Sequence, residues 1–242
     1  MQKSFLIDMS RCTACRGCQM ACKQWHKFPG TRTVQRGSFQ NPEDLSTTTY
    51  KLVRFSEAQV NGKLAWLFFP EQCRHCIVPP CKDVADAYVE GAILRDPDTQ
   101  AVLYTDLTRR LTPEQKADVH SACPYNIPRW DDETGIMAKC DMCYDRVING
   151  LKPACVQTCP TGTMNFGNRD EMLELAQQRL EAAKKKYPAA RLVDPDYTNV
   201  IFLAVDDPKL YYEYLEADAS GVLPMDRRHF FAMLRPGVRR QG

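Results

Sequence analysis

Arg11-Cys12-Thr13-Ala14-Cys15-Arg16-Gly17-Cys18-Gln19-Met20-Ala21-Cys22-Lys23-Gln24-Trp25 is the stretch on which the rest of the chain depends. Its cysteines stand at C-x2-C-x2-C-x3-C, the spacing of an iron–sulfur run whose fourth thiolate serves a second cluster. Three thiolates two residues apart suit a loop curled around one cubane. The fourth, one helical turn further on, points away toward another. A zinc site takes two separated ligand pairs, and four cysteines packed from Cys12 to Cys22 fit it poorly. The other cysteines are therefore expected to complete these cubes.

Three further runs follow. Cys73-Arg74-His75-Cys76-Ile77-Val78-Pro79-Pro80-Cys81 is C-x2-C-x4-C, with Ala85 where a fourth cysteine would stand. Cys123 stands alone before Pro124, and counting back at regular spacing gives Val119, Lys116 and Pro113. The last run is Cys140-Asp141-Met142-Cys143 followed by Cys155-Val156-Gln157-Thr158-Cys159-Pro160. The crossing of the fourth ligand decides how the runs pair. Joining first with second leaves Cys12, Cys15 and Cys18 short of a thiolate, and joining first with third orphans Cys22. Joining first with fourth and second with third uses all twelve cysteines. The expected ligand sets are set A (Cys12, Cys15, Cys18, Cys159), set B (Cys22, Cys140, Cys143, Cys155) and set C (Cys73, Cys76, Cys81, Cys123). Three [4Fe-4S] clusters result, and Ala85, Pro113, Lys116 and Val119 mark one lost cluster.

The expected fold class is α+β: two ferredoxin-like halves with pseudo-symmetry, long loops and a C-terminal helical extension. Residues 1–49 with 131–167 form one half with two clusters, 50–130 a second half with one, and 168–242 an extension packing on the core or a partner. Lys3–Asp8 reads as a strand, and residues 26–49, rich in Pro, Gly, Thr, Gln and Asn, as a long loop. Asn61-Gly62 between Lys51–Phe55 and Leu64–Phe69 signals a hairpin. A second strand pair is expected over Gly91–Arg95 and Gln100–Thr105. Thr112-Pro113 opens a helix, Asn168-Arg169-Asp170-Glu171 caps another, Asn199–Val205 is a buried strand and Lys209–Ala217 a short helix. The tail from Asp226 to Arg240 reads as a packed helix with a basic face.

Composition narrows the function. The net charge of +2 over 242 residues gives no nucleic-acid footprint. Apolar runs such as Leu64–Phe69 fall far short of the ~20 residues that span a bilayer, and the first residues hold no signal-peptide core. The clustering of cysteines in CxxC units favours metal over disulfides. By itself Cys123 would read as a small buried hydrophobe; the Cys-Pro context and the count of four overturn that. His26, His75, His120 and His229 show no mutual ligand spacing. Arg74, His75 and Lys139 neighbour ligands and are candidates for tuning potentials. No phosphate loop, dinucleotide fingerprint or hydrolase motif appears, so no catalytic residue is expected, and the chain carries electrons without bond chemistry.

The four-run layout resembles the iron–sulfur subunits of molybdopterin oxidoreductases of the dimethyl-sulfoxide-reductase family. More closely, Arg11–Trp25, Gln40-Asn41-Pro42, Tyr50–Phe55, Trp66–Lys82, Ser121–Arg129, Lys139–Gly167 and Asp207–Tyr214 resemble the beta subunit of soluble formate dehydrogenases of sulfate-reducing bacteria. One departure is Lys23 where a simple ferredoxin run has proline. The resemblance implies a non-catalytic electron-transfer subunit in a heterodimer with a large catalytic subunit that holds a W/Mo bis-pterin. It implies a soluble multihaem cytochrome c as acceptor, and a periplasmic location reached by co-export with the partner, a cytoplasmic one being the alternative. Rival readings are the same wire on a polysulfide, nitrate or tetrathionate reductase, or a stand-alone polyferredoxin-type carrier. The lost cluster places the exit at set C, with Arg74 and His75 expected closest to the acceptor.

Overall fold

The computed structural model describes residues 2–60 and 62–217; the expected basic tail helix lies outside them. The strands are β1 (Lys3–Asp8), β2 (Leu52–Val60), β3 (Lys63–Glu71), β4 (Ile93–Arg95), β5 (Val102–Tyr104), β6 (Arg129–Trp130), β7 (Met137–Ala138), β8 (Met164–Asn168), β9 (Arg191–Val193) and β10 (Val200–Ala204). The helices are α1 (Gly17–Trp25), α2 (Pro80–Tyr88), α3 (Pro113–Ser121), α4 (Tyr144–Val147), α5 (Ala154–Gln157), α6 (Arg169–Lys184) and α7 (Pro208–Tyr211). The fold is a mixture of helix and sheet.

One sheet, ordered β8-β1-β10-β9, forms the base. β1 runs antiparallel to β8 and parallel to β10, with Phe5 opposite both Phe166 and Val200. The side-chain period of two sorts this sheet into faces. Phe5, Ile7, Val200 and Phe202 pack with Val53, Phe69, Cys18 and Cys155. Leu6 and Ile201 point the other way, onto Met172 and Ala176 of α6. Both faces of β10 are covered, which explains its unbroken apolar sequence Val-Ile-Phe-Leu-Ala. α6 starts with the capping box expected of Asn168 and Glu171.

The hairpin of β2 and β3 is longer than its sequence signal, pairing Leu52 with Glu71 at its base and Val60 with Lys63 at its tip. Gly62 takes φ +74°, which the two-residue turn requires and glycine allows at little cost. At its base Val53 and Phe69 enter the core, whereas Leu64 and Trp66 stay exposed. β4 and β5 pair as expected. The chain from 26 to 49 forms neither regular helix nor ladder strand.

Of the four positions where regular spacing would put further ligands, Ala85 and Val119 are packed in the core, Lys116 is buried and Pro113 is exposed. α3 is capped by Thr112 with a complete capping box to Gln115, so regular helix runs through Pro113, Lys116 and Val119. Val119 on that helix and Ala85 on α2 pack with Cys81, Ile93, Leu111 and Met137. The helix expected over 209–217 is confined to Pro208–Tyr211. Tyr212 turns extended, because the following carbonyls, Tyr214 O and Leu215 O, lie 3.4 Å from the Arg74 guanidinium.

Arg74 and His75 are corrected by the structure: both are interior, at 2% and 0% exposure. Strand β3 drives Glu71 through His75 beneath β10, where Asn199 N–H reaches the carbonyls of Arg74 and His75. The Arg74 guanidinium lies 4.6 Å from the Phe202 ring, 4.8 Å from Tyr125 and 5.1 Å from Phe69. Nearby Glu71, fully buried, accepts from Arg54 Nε at 2.5 Å, and Arg54 continues to Asp44 and from there to Arg129. Burial pushes the Glu71 carboxyl up, and Arg54 and Arg74 oppose that. Replacing Arg54 with Met strands this carboxylate, which is expected to cost about 3 kcal/mol. The double variant Arg54→Met/Glu71→Met should recover most of it. Thermal unfolding midpoints of the single and double variants check the pair.

Candidate metal centres

The cysteine loops are shaped by backbone that few side chains adopt. Ala14 and Arg16 stand at φ +53° and +60° on either side of Cys15, and His75, Met142 and Cys143 are also left-handed. For non-glycine residues each such position costs about 1–2 kcal/mol, a strain that persists only where the surroundings impose it. The result is loops that turn several sulfurs to one side. α1 then carries Cys18 and Cys22 one turn apart, and α5 carries Cys155.

Cys73, Cys76, Cys81 and Cys123 line one small cavity together with Arg74, Val102, Tyr104, Tyr125 and Lys139. Cys12, Cys15, Cys18 and Cys159 line a second with Val53, Pro70 and Met164. The remaining four thiols are electrostatic neighbours of one another. Cys22 is raised by burial and by Cys155 and Cys143, and Cys140 by burial and then by Asp141, Cys22, Cys73 and Cys143. Cys155 packs in one hydrophobic cluster with Cys18 and Cys159, and Cys140 in another with Cys73, Cys76 and Cys123.

The donor set fits an iron–sulfur cube. Burial leads in pushing Cys12, Cys81 and Cys155 up to about 11, and Cys123 and Cys143 to about 12. Four thiols so crowded cannot ionise together unless a cation neutralises them, which is what ligation supplies. Cys159 is the exception: burial raises it, but Met164 N–H and the Thr161 hydroxyl and backbone outweigh burial and lower it. The Tyr104 hydroxyl is buried with no oxygen or nitrogen partner in the lining beside Cys81. His75 N–H is directed at Cys73 Sγ at 3.4 Å. Donors aimed at sulfur are the second layer such clusters use.

Several supporting residues had weak signals in the sequence. Lys51 is 2% exposed and gives Nζ–H bonds to Pro70 O at 2.9 Å and Gln72 Oε1 at 2.7 Å. His26 contacts Asp141 Oδ1 at 3.1 Å and Cys22 O at 3.0 Å. Burial lowers its pKa, but these two acceptors win and raise it. Although the ligand atoms of His26, Asp141 and Cys143 lie within 4.8 Å of one another, Asp141 already accepts the Cys143 N–H at 2.8 Å. The carboxylate therefore braces the Cys143 loop. Lys139, singled out beside Cys140, donates to Val102 O and Cys140 O and stands 4.9 Å over the Tyr104 ring.

Lys23, in place of proline after Cys22, has its own task. Its ammonium donates to Pro29 O at 3.1 Å and Thr48 O at 2.8 Å, clasping both ends of the long loop. Gln19 adds a bond to Asn41 O at 2.9 Å. Lys23→Met should loosen the loop by about 1.5 kcal/mol, roughly one charged hydrogen bond. Limited proteolysis between Gly30 and Thr47 is expected to quicken about ten-fold, with iron content unchanged.

Comparison with known proteins completes this evidence. Residues 64–169 match the 4Fe-4S dicluster domain. The chain is 55% identical over 215 residues to the formate dehydrogenase 2 subunit beta (cytochrome c-553) of Nitratidesulfovibrio vulgaris, covering 88% of this chain and 98% of the relative. It is 55% identical over 217 residues to the formate dehydrogenase subunit beta of Megalodesulfovibrio gigas, covering 90% and 100%. The nitrate-inducible formate dehydrogenase iron–sulfur subunit of Escherichia coli is 37% identical over 216 residues, covering 86% and 70%. Shared over nearly their whole length with two of these relatives, this chain belongs to the family of formate dehydrogenase beta, or iron–sulfur, subunits.

Proposed function

We propose that this chain is the electron-transfer subunit of a formate dehydrogenase, itself without catalytic residues, linking a catalytic partner with a W/Mo bis-pterin to an external acceptor. The observation that carries this reading is the gathering of Cys73, Cys76, Cys81 and Cys123 around one cavity and of Cys12, Cys15, Cys18 and Cys159 around another. Three [4Fe-4S] clusters are then held by sets A, B and C, with B in the middle. Such clusters, when bound, supply one-electron storage at potentials set by charge, hydrogen bonds and solvent. The chain supplies the thiolates and the strained loops that aim them. Its packed residues, Phe5, Phe69 and Met142 among them, keep water away.

The two ferredoxin-like halves, residues 1–49 with 131–167 and residues 50–130, are related by pseudo-symmetry in this reading, with 168–242 as an extension. The catalytic partner docks at set A. Cys15 is exposed there, and Arg16 lies 5.1 Å over the Phe55 ring beside exposed Phe39 and Trp66. That apolar patch has the character of a permanent interface. The acceptor docks at set C, where Cys76 pairs with Thr198 beside exposed Val78 and Tyr197. A c-type cytochrome as acceptor is supported by the name of the Nitratidesulfovibrio vulgaris relative. The complex works in the periplasm, exported with its partner.

Anaerobically prepared protein should contain about twelve iron and twelve sulfide per chain, as four per cubane requires; zinc, or eight iron or fewer, refutes the count. In the purified complex, Cys76→Ala should abolish formate-dependent cytochrome reduction and spare reduction of the pterin centre. Surviving cytochrome reduction with that cluster absent would remove set C from the exit. Fractionation that finds the complex in the cytoplasm would overturn the periplasmic location.

A further inference from the structure

The hydroxyl of Tyr104 is a buried donor in want of an acceptor. Its ring is held in place: β5 pairs the residue with Ile93 of β4, the cluster of Cys81, Ala85 and Ile93 packs against it, and Lys139 Nζ stands 4.9 Å from the ring centre. The hydroxyl oxygen is shut off from solvent and makes no hydrogen bond among the described residues. A buried polar group left so is destabilising unless something absent from the polypeptide pairs with it. The residue lines the cavity that Cys73, Cys76, Cys81 and Cys123 enclose, and the rest of that lining decides where the proton can go. Its prolines, Val102 and Ile127 have no side-chain acceptor. Arg74 and Lys139 can only donate, and do so to Gln72 O and to Val102 O and Cys140 O. The other phenol there, Tyr125, is already engaged, donating to Asp194 Oδ2 at 2.9 Å. Sulfur is the acceptor that remains.

We propose that the Tyr104 hydroxyl donates a hydrogen bond to sulfur of the cluster held by set C and raises the reduction potential of that cluster. The proposal rests on the ligation by set C read above. Four thiolates outweigh the charge of a [4Fe-4S] core, so the loaded site is net negative and becomes more so on reduction. A hydrogen bond strengthens with the negative charge of its acceptor, so a donor fixed at sulfur holds the reduced cluster more tightly than the oxidised one. Tyr104 has no place in the lining of the cavity of Cys12, Cys15, Cys18 and Cys159. The effect therefore belongs to set C. With set C as the exit, the hydroxyl makes the last cluster the one on which electrons collect before they leave.

The test uses the complete complex carrying Tyr104→Phe, which keeps the packed ring and removes the hydroxyl alone. Iron analysis is combined with EPR-monitored potentiometric titration, the signal of set C being the one that Cys76→Ala removes. Tyr104→Phe is expected to retain wild-type iron and to shift the reduced-to-oxidised ratio of that cluster about ten-fold toward oxidised, which is about 59 mV for a one-electron couple. The other two clusters stay in place. Proton ENDOR on the reduced set C signal should show one coupling that exchanges in deuterium oxide in the wild type and is missing from the variant. An unshifted potential in fully loaded Tyr104→Phe overturns the proposal, as does an equal shift of all three clusters. A variant that leaves set C unfilled overturns it too, since the hydroxyl is then a requirement of assembly and not a donor to the finished cluster. Wild-type complex lacking the set C cluster overturns the ligation itself, a failure seen before any substitution at residue 104 is made.

Discussion

Eleven of the twelve thiols are buried or half-buried, and burial resists the ionisation of most of them. That electrostatic constraint governs most of what surrounds them. Left-handed residues turn the loops, backbone N–H groups are directed at sulfur, and Tyr104 and Lys139 line the cavity of set C. None of these features pays its way in a metal-free core. Buried donors without partners cost stability, and they become favourable together once the sites are charged. The unloaded protein is accordingly the strained form of this fold.

Much of the architecture could be read from local patterns. β1 coincides with Lys3–Asp8, α3 begins at the Thr112 cap, α6 follows its capping box and β10 falls within Asn199–Val205. These elements are specified by neighbours in sequence, so a one-dimensional reading suffices. Ligand spacing is itself a local code, and it is what motivates the grouping of the cysteines. What escaped was direction. Arg74 and His75 have the composition of a surface pair, yet β3 carries them under β10, and only long-range pairing fixes that. Lys51 and Tyr104 gave little local signal for the same reason. Their roles depend on residues far away in the chain.

The region where regular spacing would put four more thiolates is packed instead. Simple loss of four cysteines would leave a void, at a cost that grows with its volume. Here a capped helix, with Val119 against Ala85, Leu111 and Met137, occupies the space. Hydrophobic packing around Cys81 holds this region together. The cluster against the base sheet includes Cys18 and Cys155 as packing members.

The central place of β1 has a consequence for biosynthesis. Its two hydrogen-bonded neighbours, β8 and β10, begin at Met164 and Val200, so the strand that leads into the first cysteine run has no partner until most of the chain has left the ribosome. Cys12 to Cys22 are the first ligands made and among the last to be fixed. Such non-local closure is slow compared with helix formation, and the waiting thiolates are open to oxidation and to stray metal meanwhile. Closure of the base sheet waits on residues 164–204, and until they are made Cys12, Cys15, Cys18 and Cys22 follow a strand that lacks its partners.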